Sequence, residues 1–198
     1  MKILIISDLH GTKYYEKLKD ALENIDYDCI CLLGDNLTYD MDIIERFKKD
    51  VKVIGILGNH DTKYFYKQSY SFVENVHNKI INYNGITFGG IEGSLKYKNV
   101  PNYAMYEYDE YVDFINNLPK CDILLTHAGI DNPTDNFETY HHFLPLESYF
   151  LDKKPKINLF GHYHSNKAFM LDNVFCLCTF GCSWIDTEKK IYKVIFSE

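Results

Sequence analysis

Five short apolar runs in this sequence each break off into Asp, Asn or His. They are ILIISDLHG at Ile3 to Gly11, CICLLGDN at Cys29 to Asn36, VIGILGNHD at Val53 to Asp61, DILLTHAG at Asp122 to Gly129 and INLFGHYH at Ile157 to His164. The candidate reactive side chains are Asp8, His10, Asp35, Asn59, His60, His127, His162 and His164. Carboxylate, amide and imidazole donors, with no thiolate among them, suit borderline divalent cations such as Mn, Fe, Zn or Ni better than a Cys-bound structural zinc. The donor types do not single out one of these metals. A pair of such cations about 3.5–4 Å apart, bridged by a carboxylate that offsets their repulsion, clamps the attacking and leaving oxygens of an in-line displacement at phosphorus. A water they share is acidified from about 15.7 toward neutrality, so no side-chain base is required.

Unbroken Val, Ile, Leu, Phe and Cys runs without polar alternation describe strands covered on both faces. Each polar cluster therefore begins where its strand leaves a sheet. Carboxyl ends of strands are where ligands gather in open α/β sheets, because distant parts of the chain converge there on a rigid base. Gly34, Gly58 and Gly161 precede three of the clusters, as expected of backbone that turns sharply and passes close to a bound ion or phosphate.

In chain order, D-x-H at Asp8 to His10, G-D at Gly34-Asp35, G-N-H-D at Gly58 to Asp61, T-H at Thr126-His127 and G-H-x-H at Gly161 to His164 resemble the calcineurin-like metallophosphoesterases. One such string is a weak signal; five in order, each ending a strand, are specific. The resemblance spans nearly the whole chain. It implies that Asp8, His10 and His164 hold one metal, that Asn59, His127 and His162 hold the other, and that Asp35 bridges both. His60 would face the leaving group, where it can donate a proton or hydrogen bond. The implied fold is α/β, a four-layer αββα sandwich of two mixed sheets flanked by helices, with the metals at one edge.

Departures from the family narrow the class. Protein serine/threonine phosphatases carry G-D-x-V-D-R-G and G-N-H-E, whereas this chain has GDNLTYD at Gly34 to Asp40 and then GNHD. Its length and the segment FGGIEGSLKYKNVPNYAMY, Phe88 to Tyr106, look more like small microbial and phage phosphodiesterase-type members, with Gly93-Ser94 placed to approach substrate. In many relatives an acid three residues after the bridging Asp orients the histidine of G-N-H. That position is Thr38 here, leaving Asp61, Asp40 or Asp42 as substitutes. The resulting expectation is a binuclear phosphoesterase acting through a metal-bridging hydroxide on a small phosphoester, foremost a phosphodiester. Its alternatives are a phosphomonoesterase of the same fold, a nuclease, and a non-catalytic scaffold like the retromer subunit of this fold.

Other candidates carry blander readings. His77 stands alone before a strand, and His141 and His142 lie in a long polar stretch that could overhang the site. Cys176, Cys178 and Cys182 lack the turn of a zinc knuckle and read as core thiols. Tyrosines between Tyr97 and Tyr111 read as packing, with stacking on a base or aryl group as the alternative.

The 198 residues, 46% of them hydrophobic, suffice for a single metallophosphoesterase domain over residues 1–198. A net charge of −7 and a lone arginine, Arg46, argue against a nucleic-acid or anionic-membrane surface. The first apolar run is too short for a signal peptide or membrane span, so a soluble cytoplasmic protein is expected. Helices are expected near 13–24, 40–49, 62–77 and 107–118. A two-residue hairpin is expected at Asn84-Gly85, and further strands at 167–171, 173–179 and 191–196.

Overall fold

The structure is a computed structural model, described here for residues 1–130 and 144–197. Its two large sheets are six-stranded. In the first, β1 (Lys2–Ser7), β2 (Cys29–Leu32), β3 (Lys52–Gly55) and β4 (Val73–Asn75) run parallel in that order. β13 (Gly181–Asp186) and β14 (Ile191–Phe196) extend the β1 edge antiparallel. In the second, β6 (Ile86–Ile91), β9 (Ile123–Thr126), β10 (Ile157–Phe160) and β12 (Val174–Cys178) are parallel, with β5 (Ile80–Tyr83) and β11 (Lys167–Leu171) as antiparallel edges.

Alternation along the buried strands divides their side chains between two apolar layers. Ile3, Ile5, Ile54, Phe88, Leu125 and Leu159 meet between the sheets. Leu4, Ile6, Ile30 and Leu32 face outward in the cluster that holds Leu18 and Leu22 of α1 (Tyr15–Asn24) and Met41 and Ile44 of α2 (Thr38–Phe47). Tyr111 and Ile115 of α4 (Tyr108–Asn117), with Tyr149 and Phe150 of α5 (Leu144–Lys153), belong to the same cluster as Leu124 and Phe160 of the second sheet. The expected αββα layering is the observed one. Leu18, Ala21 and Leu22 give α1 its inward stripe, and α2 is anchored where the Asp40 carboxylate accepts the Leu37 N–H at 2.9 Å. The expected hairpin also forms, with Asn84 and Gly85 at φ 51° and 80°.

One expected helix is corrected. Residues 62–77 do not form a single helix; α3 covers only Phe65–Ser69, and Val73 to Asn75 pair with β3. Gly55 lets Val73 pack closely on β3, since a Cβ there would sit 3.0 Å from Val73 Cγ1. Sheet pairing thus outcompetes local helical preference. α5, β4, β13 and the small parallel pair β7 (Ser94–Leu95) with β8 (Met105–Tyr106) are additions to the expected elements. Among the described residues, no helix is long and apolar enough to cross a membrane.

Candidate metal centre

The carboxyl ends of β1, β2, β9 and β10, with the loop after β3, bring their polar clusters to one place. Asp8 follows β1 and is almost fully buried. Its Oδ2 accepts the Ser7 hydroxyl at 2.5 Å and the His162 N–H at 3.0 Å. Oδ1 has no hydrogen-bond partner although it is buried. His164 Nε2 lies 3.6 Å from this oxygen and His10 Nε2 4.0 Å, and the two nitrogens are 3.2 Å apart. A buried carboxylate oxygen without a hydrogen bond, facing two converging imidazoles, fits a cation.

Beside it, His127 Nε2 is 3.4 Å from Asp35 Oδ2 and 2.8 Å from Asn59 Oδ1. Its other nitrogen, Nδ1, lies 2.7 Å from the Leu33 carbonyl oxygen. A hydrogen bond donated there orients the ring and turns Nε2 toward Asp35 and Asn59. Ligand atoms of Asp8, Asp35 and His127 all lie within 4.8 Å of one another, so the two groups adjoin. The His162 ring centroid is 5.1 Å from that of His127. His60 is exposed and is held through its backbone, whose N–H donates to Asp35 Oδ1 at 2.7 Å.

Backbone conformation marks the same residues. Asp8, His10, Asp35, His162 and His164 have φ of 54°, 49°, 54°, 71° and 47°, the left-handed region that costs a residue with a Cβ about 1–2 kcal/mol. Among the described residues, five of the twelve non-glycine residues in this region gather where these side chains converge. Tight loop packing maintains their conformation. A Cβ on Gly161 would stand 2.0 Å from Ser7 Oγ, and one on Gly34, itself at φ 98°, 2.1 Å from Gly58 N. These glycines let the loops approach one another, and a Cβ on Gly58 or Gly161 would also stand 2.1 Å from Asp35 Oδ1 or 2.5 Å from Asp8 Oδ2.

Electrostatics follow from burying so many charges. Against the cost of burial, the charge and hydrogen bond of His127 and the His60 N–H hold the Asp35 carboxyl well below its usual range. Asp8 is also lowered: burial opposes ionisation, but His164 and His127 overcome it. His127 is raised to about 9, because Asp35 and Asp8 outweigh its desolvation. Burial and the His127 charge push His162 down to about 4. Burial and the neighbouring Asp35 push Asp61 up to about 7. A buried pair of carboxylates demands a counter-cation here, which a proton on His127 or a metal can supply.

The seven metal-ligand candidates and His60 thus lie around one centre. A cavity of about 1010 Å³ opens over it, lined on this side by His10, Asp35, Asn59, His60, His162 and His164. Several other candidates lie elsewhere. His77 is packed edge-on against Phe114, with centroids 4.6 Å apart, and its Nδ1 accepts the Glu92 N–H. Cys176, Cys178 and Cys182 are buried free thiols, with burial pushing Cys176 and Cys178 up to about 12. His141 and His142 lie outside the described residues. Two contributors carried no individual signal in the sequence, and a third, Asp61, stood there only as a substitute orienting acid for His60. Asp61 holds loop backbone, Phe180 stacks on the His164 ring at 4.6 Å, and the Tyr97 hydroxyl accepts the Asn59 Nδ2–H at 3.1 Å.

The profile of the calcineurin-like phosphoesterase family matches residues 1–186, and the chain belongs to that family. Among solved structures it is similar to TT1561 of Thermus thermophilus, with TM-score 0.71 and 16% identity over 97% of this chain and 96% of that one. It is also similar to a novel archaeal phosphodiesterase, with TM-score 0.59 and 16% identity over 98% of each chain. A single mutant of Vps29 from Entamoeba histolytica aligns at TM-score 0.51 and 14% identity, over 94% of this chain and 86% of that one. No curated protein sequence matches significantly.

Proposed function

We propose that the protein is a binuclear phosphoesterase that hydrolyses phosphodiesters. The observation that carries this reading is the buried, unpartnered Asp8 Oδ1 facing His10 and His164, directly beside the Asp35, Asn59 and His127 cluster. Asp8, His10 and His164 would hold one divalent cation, Asn59, His127 and His162 the other, and Asp35 both. Two bound cations would supply Lewis-acid stabilisation of phosphoryl oxygens and a water acidic enough to act as nucleophile near neutrality.

The remaining work falls to the chain. Asp35, with its carboxyl held ionised, keeps the two ligand groups in fixed relation. His60 stands exposed at the cavity wall, free to donate a hydrogen bond or proton to a leaving oxygen. Phosphate charge supports the choice of diester. Arg46 packs over Phe47 in the last turn of α2, and Lys96, the single Lys or Arg among the described lining residues, is paired with Glu107 at 2.6 Å. A monoanionic diester suits such a wall better than a dianionic monoester.

The test is reconstitution of purified protein with Mn, Zn, Fe or Ni, followed by metal analysis and turnover of bis(p-nitrophenyl) phosphate and p-nitrophenyl phosphate. The diester should be hydrolysed with kcat/KM at least comparable to the monoester. A large ranking in the opposite sense would make it a phosphomonoesterase. Fewer than one activity-restoring ion per chain would overturn the enzyme reading.

A further inference from the structure

Opposite its histidines the cavity has a wall of another kind. β7, β8 and the loop between them supply Leu95, Tyr97, Tyr106 and, just beyond, Tyr108. Tyr97 and Tyr108 are 58% and 54% exposed, so both present ring surface on this side of the cavity. Tyr97 is nevertheless tethered, since its hydroxyl accepts a hydrogen bond from the amide of Asn59 at 3.1 Å. The Lys98 ammonium lies over its ring, 5.0 Å from the centroid. Tyr106 is fixed from behind by its hydroxyl, which donates to the buried Glu92 carboxylate at 2.5 Å. The wall's ionised pair, Lys96 with Glu107, is internally neutralised.

We infer that this wall receives a flat aromatic substituent of the phosphoester, with Tyr97 as its stacking residue. The inference rests on the phosphoester reading of the neighbouring metal centre and specifies the substrate class. Lys96 is neutralised by Glu107 and the Lys98 ammonium is engaged on the Tyr97 ring, whereas an aryl or nucleobase ring finds exposed aromatic surface. Tethering lowers the ordering cost, because the hydrogen bond to Asn59 already restrains the Tyr97 ring beside a ligand of the candidate centre. Stacking of this kind is tolerant of ring identity, so the wall selects for planarity.

Calorimetric titration of the Mn-loaded protein with phenylphosphonate and methylphosphonate tests this independently of turnover, and irrespective of which substituent would depart. The phenyl compound should bind about tenfold more tightly. Tyr97→Ala and Tyr97→Leu should bring the ratio of the two dissociation constants close to unity, and Tyr97→Phe should preserve most of it. The Leu variant separates stacking from simple apolar contact, and the site's exposure keeps all three substitutions compatible with folding. Both phosphonates binding within about twofold of one another in the wild type, or an unchanged ratio in Tyr97→Ala, would overturn the aromatic assignment alone. Binding of neither would overturn this inference, and together with no turnover of either nitrophenyl ester it would overturn the phosphoester reading as well.

Discussion

Asp61 ties its own loop to the backbone of Asp35: one carboxylate oxygen accepts the Asp35 N–H at 2.9 Å and the Gly58 N–H at 2.8 Å. The residue belongs to the GNHD string yet is spent on structure, holding the left-handed turn at Asp35 from which the proposed bridging carboxylate projects. Asp61→Ala leaves two buried donors unpaired and should destabilise the metal-free protein by about 2–4 kcal/mol in urea titration. Asp61→Asn keeps an accepting oxygen and should lose less than half as much. Equal losses in the two variants would mean that the oxygen's hydrogen bonds are not what matters.

The ligand roles predict different metal losses. Asp35→Ala should lose both ions and nearly all activity, because Asp35 adjoins His127 on one side and Asp8 on the other. Asn59→Ala, which removes the oxygen 2.8 Å from His127 Nε2, should weaken mainly one ion. Asp8→Ala should weaken mainly the ion between His10 and His164. Metal content by mass spectrometry after gel filtration decides the matter. Full occupancy in Asp35→Ala would refute the bridging role.

Strand cores and their polar ends were legible because both faces of β1, β2, β3, β9 and β10 are buried, which forces unbroken apolar runs. The Asn84-Gly85 hairpin was legible because few other dipeptides accept its turn. The positive φ at Asp8, His10, Asp35, His162 and His164 was not, since Asp and His tolerate that region without requiring it; the close packing of loops from different strands selects it. β13 escaped because Ser183 interrupts the apolar pattern while being fully buried, its hydroxyl turned toward Asn166. Tyr97 escaped individual notice because a tyrosine in an irregular loop has no periodicity. Its role depends on a hydrogen bond to a residue 38 positions away.

Acid sensitivity should reside partly in Asp122, just before β9, whose other end carries His127. Its carboxylate accepts the Thr87 hydroxyl at 2.6 Å and N–H at 2.9 Å, and pairs with Lys156 at 2.9 Å. The Thr87 bonds, reinforced by Lys156, lower it to about 2. A carboxyl depressed on folding stabilises fully above its unfolded value, about 3.9, and that stability is lost as pH falls through about 2. With the side chain 28% exposed, solvent screening limits the effect to about 1 kcal/mol, or about 2–4 °C in Tm. Asp122→Asn should therefore flatten the fall in Tm between about pH 4 and pH 2 by that amount. An unchanged slope would show that the pair contributes nothing.

The sharpest functional prediction concerns His60. Its ring has no hydrogen-bond partner among the described residues. Thr38 is exposed at the start of α2, Asp40 accepts the Leu37 N–H, Asp42 faces the Tyr70 hydroxyl at 3.4 Å, and Asp61 is committed to backbone. Among the described residues no acid is hydrogen-bonded to the imidazole, and partial burial lowers its pKa against the pull of Asp35. The protonated form therefore declines as pH rises through a value below the usual histidine range. Its help to a poor alkoxide leaving group should fade over the same interval. His60→Ala should cost about 10²-fold in kcat on an alkyl ester and clearly less on a nitrophenyl ester, whose phenolate departs without a proton. The pH dependence of the alkyl-ester rate should flatten in the variant. Equal losses on both esters, with metal content unchanged, would remove the general-acid role and leave His60 as an electrostatic contributor.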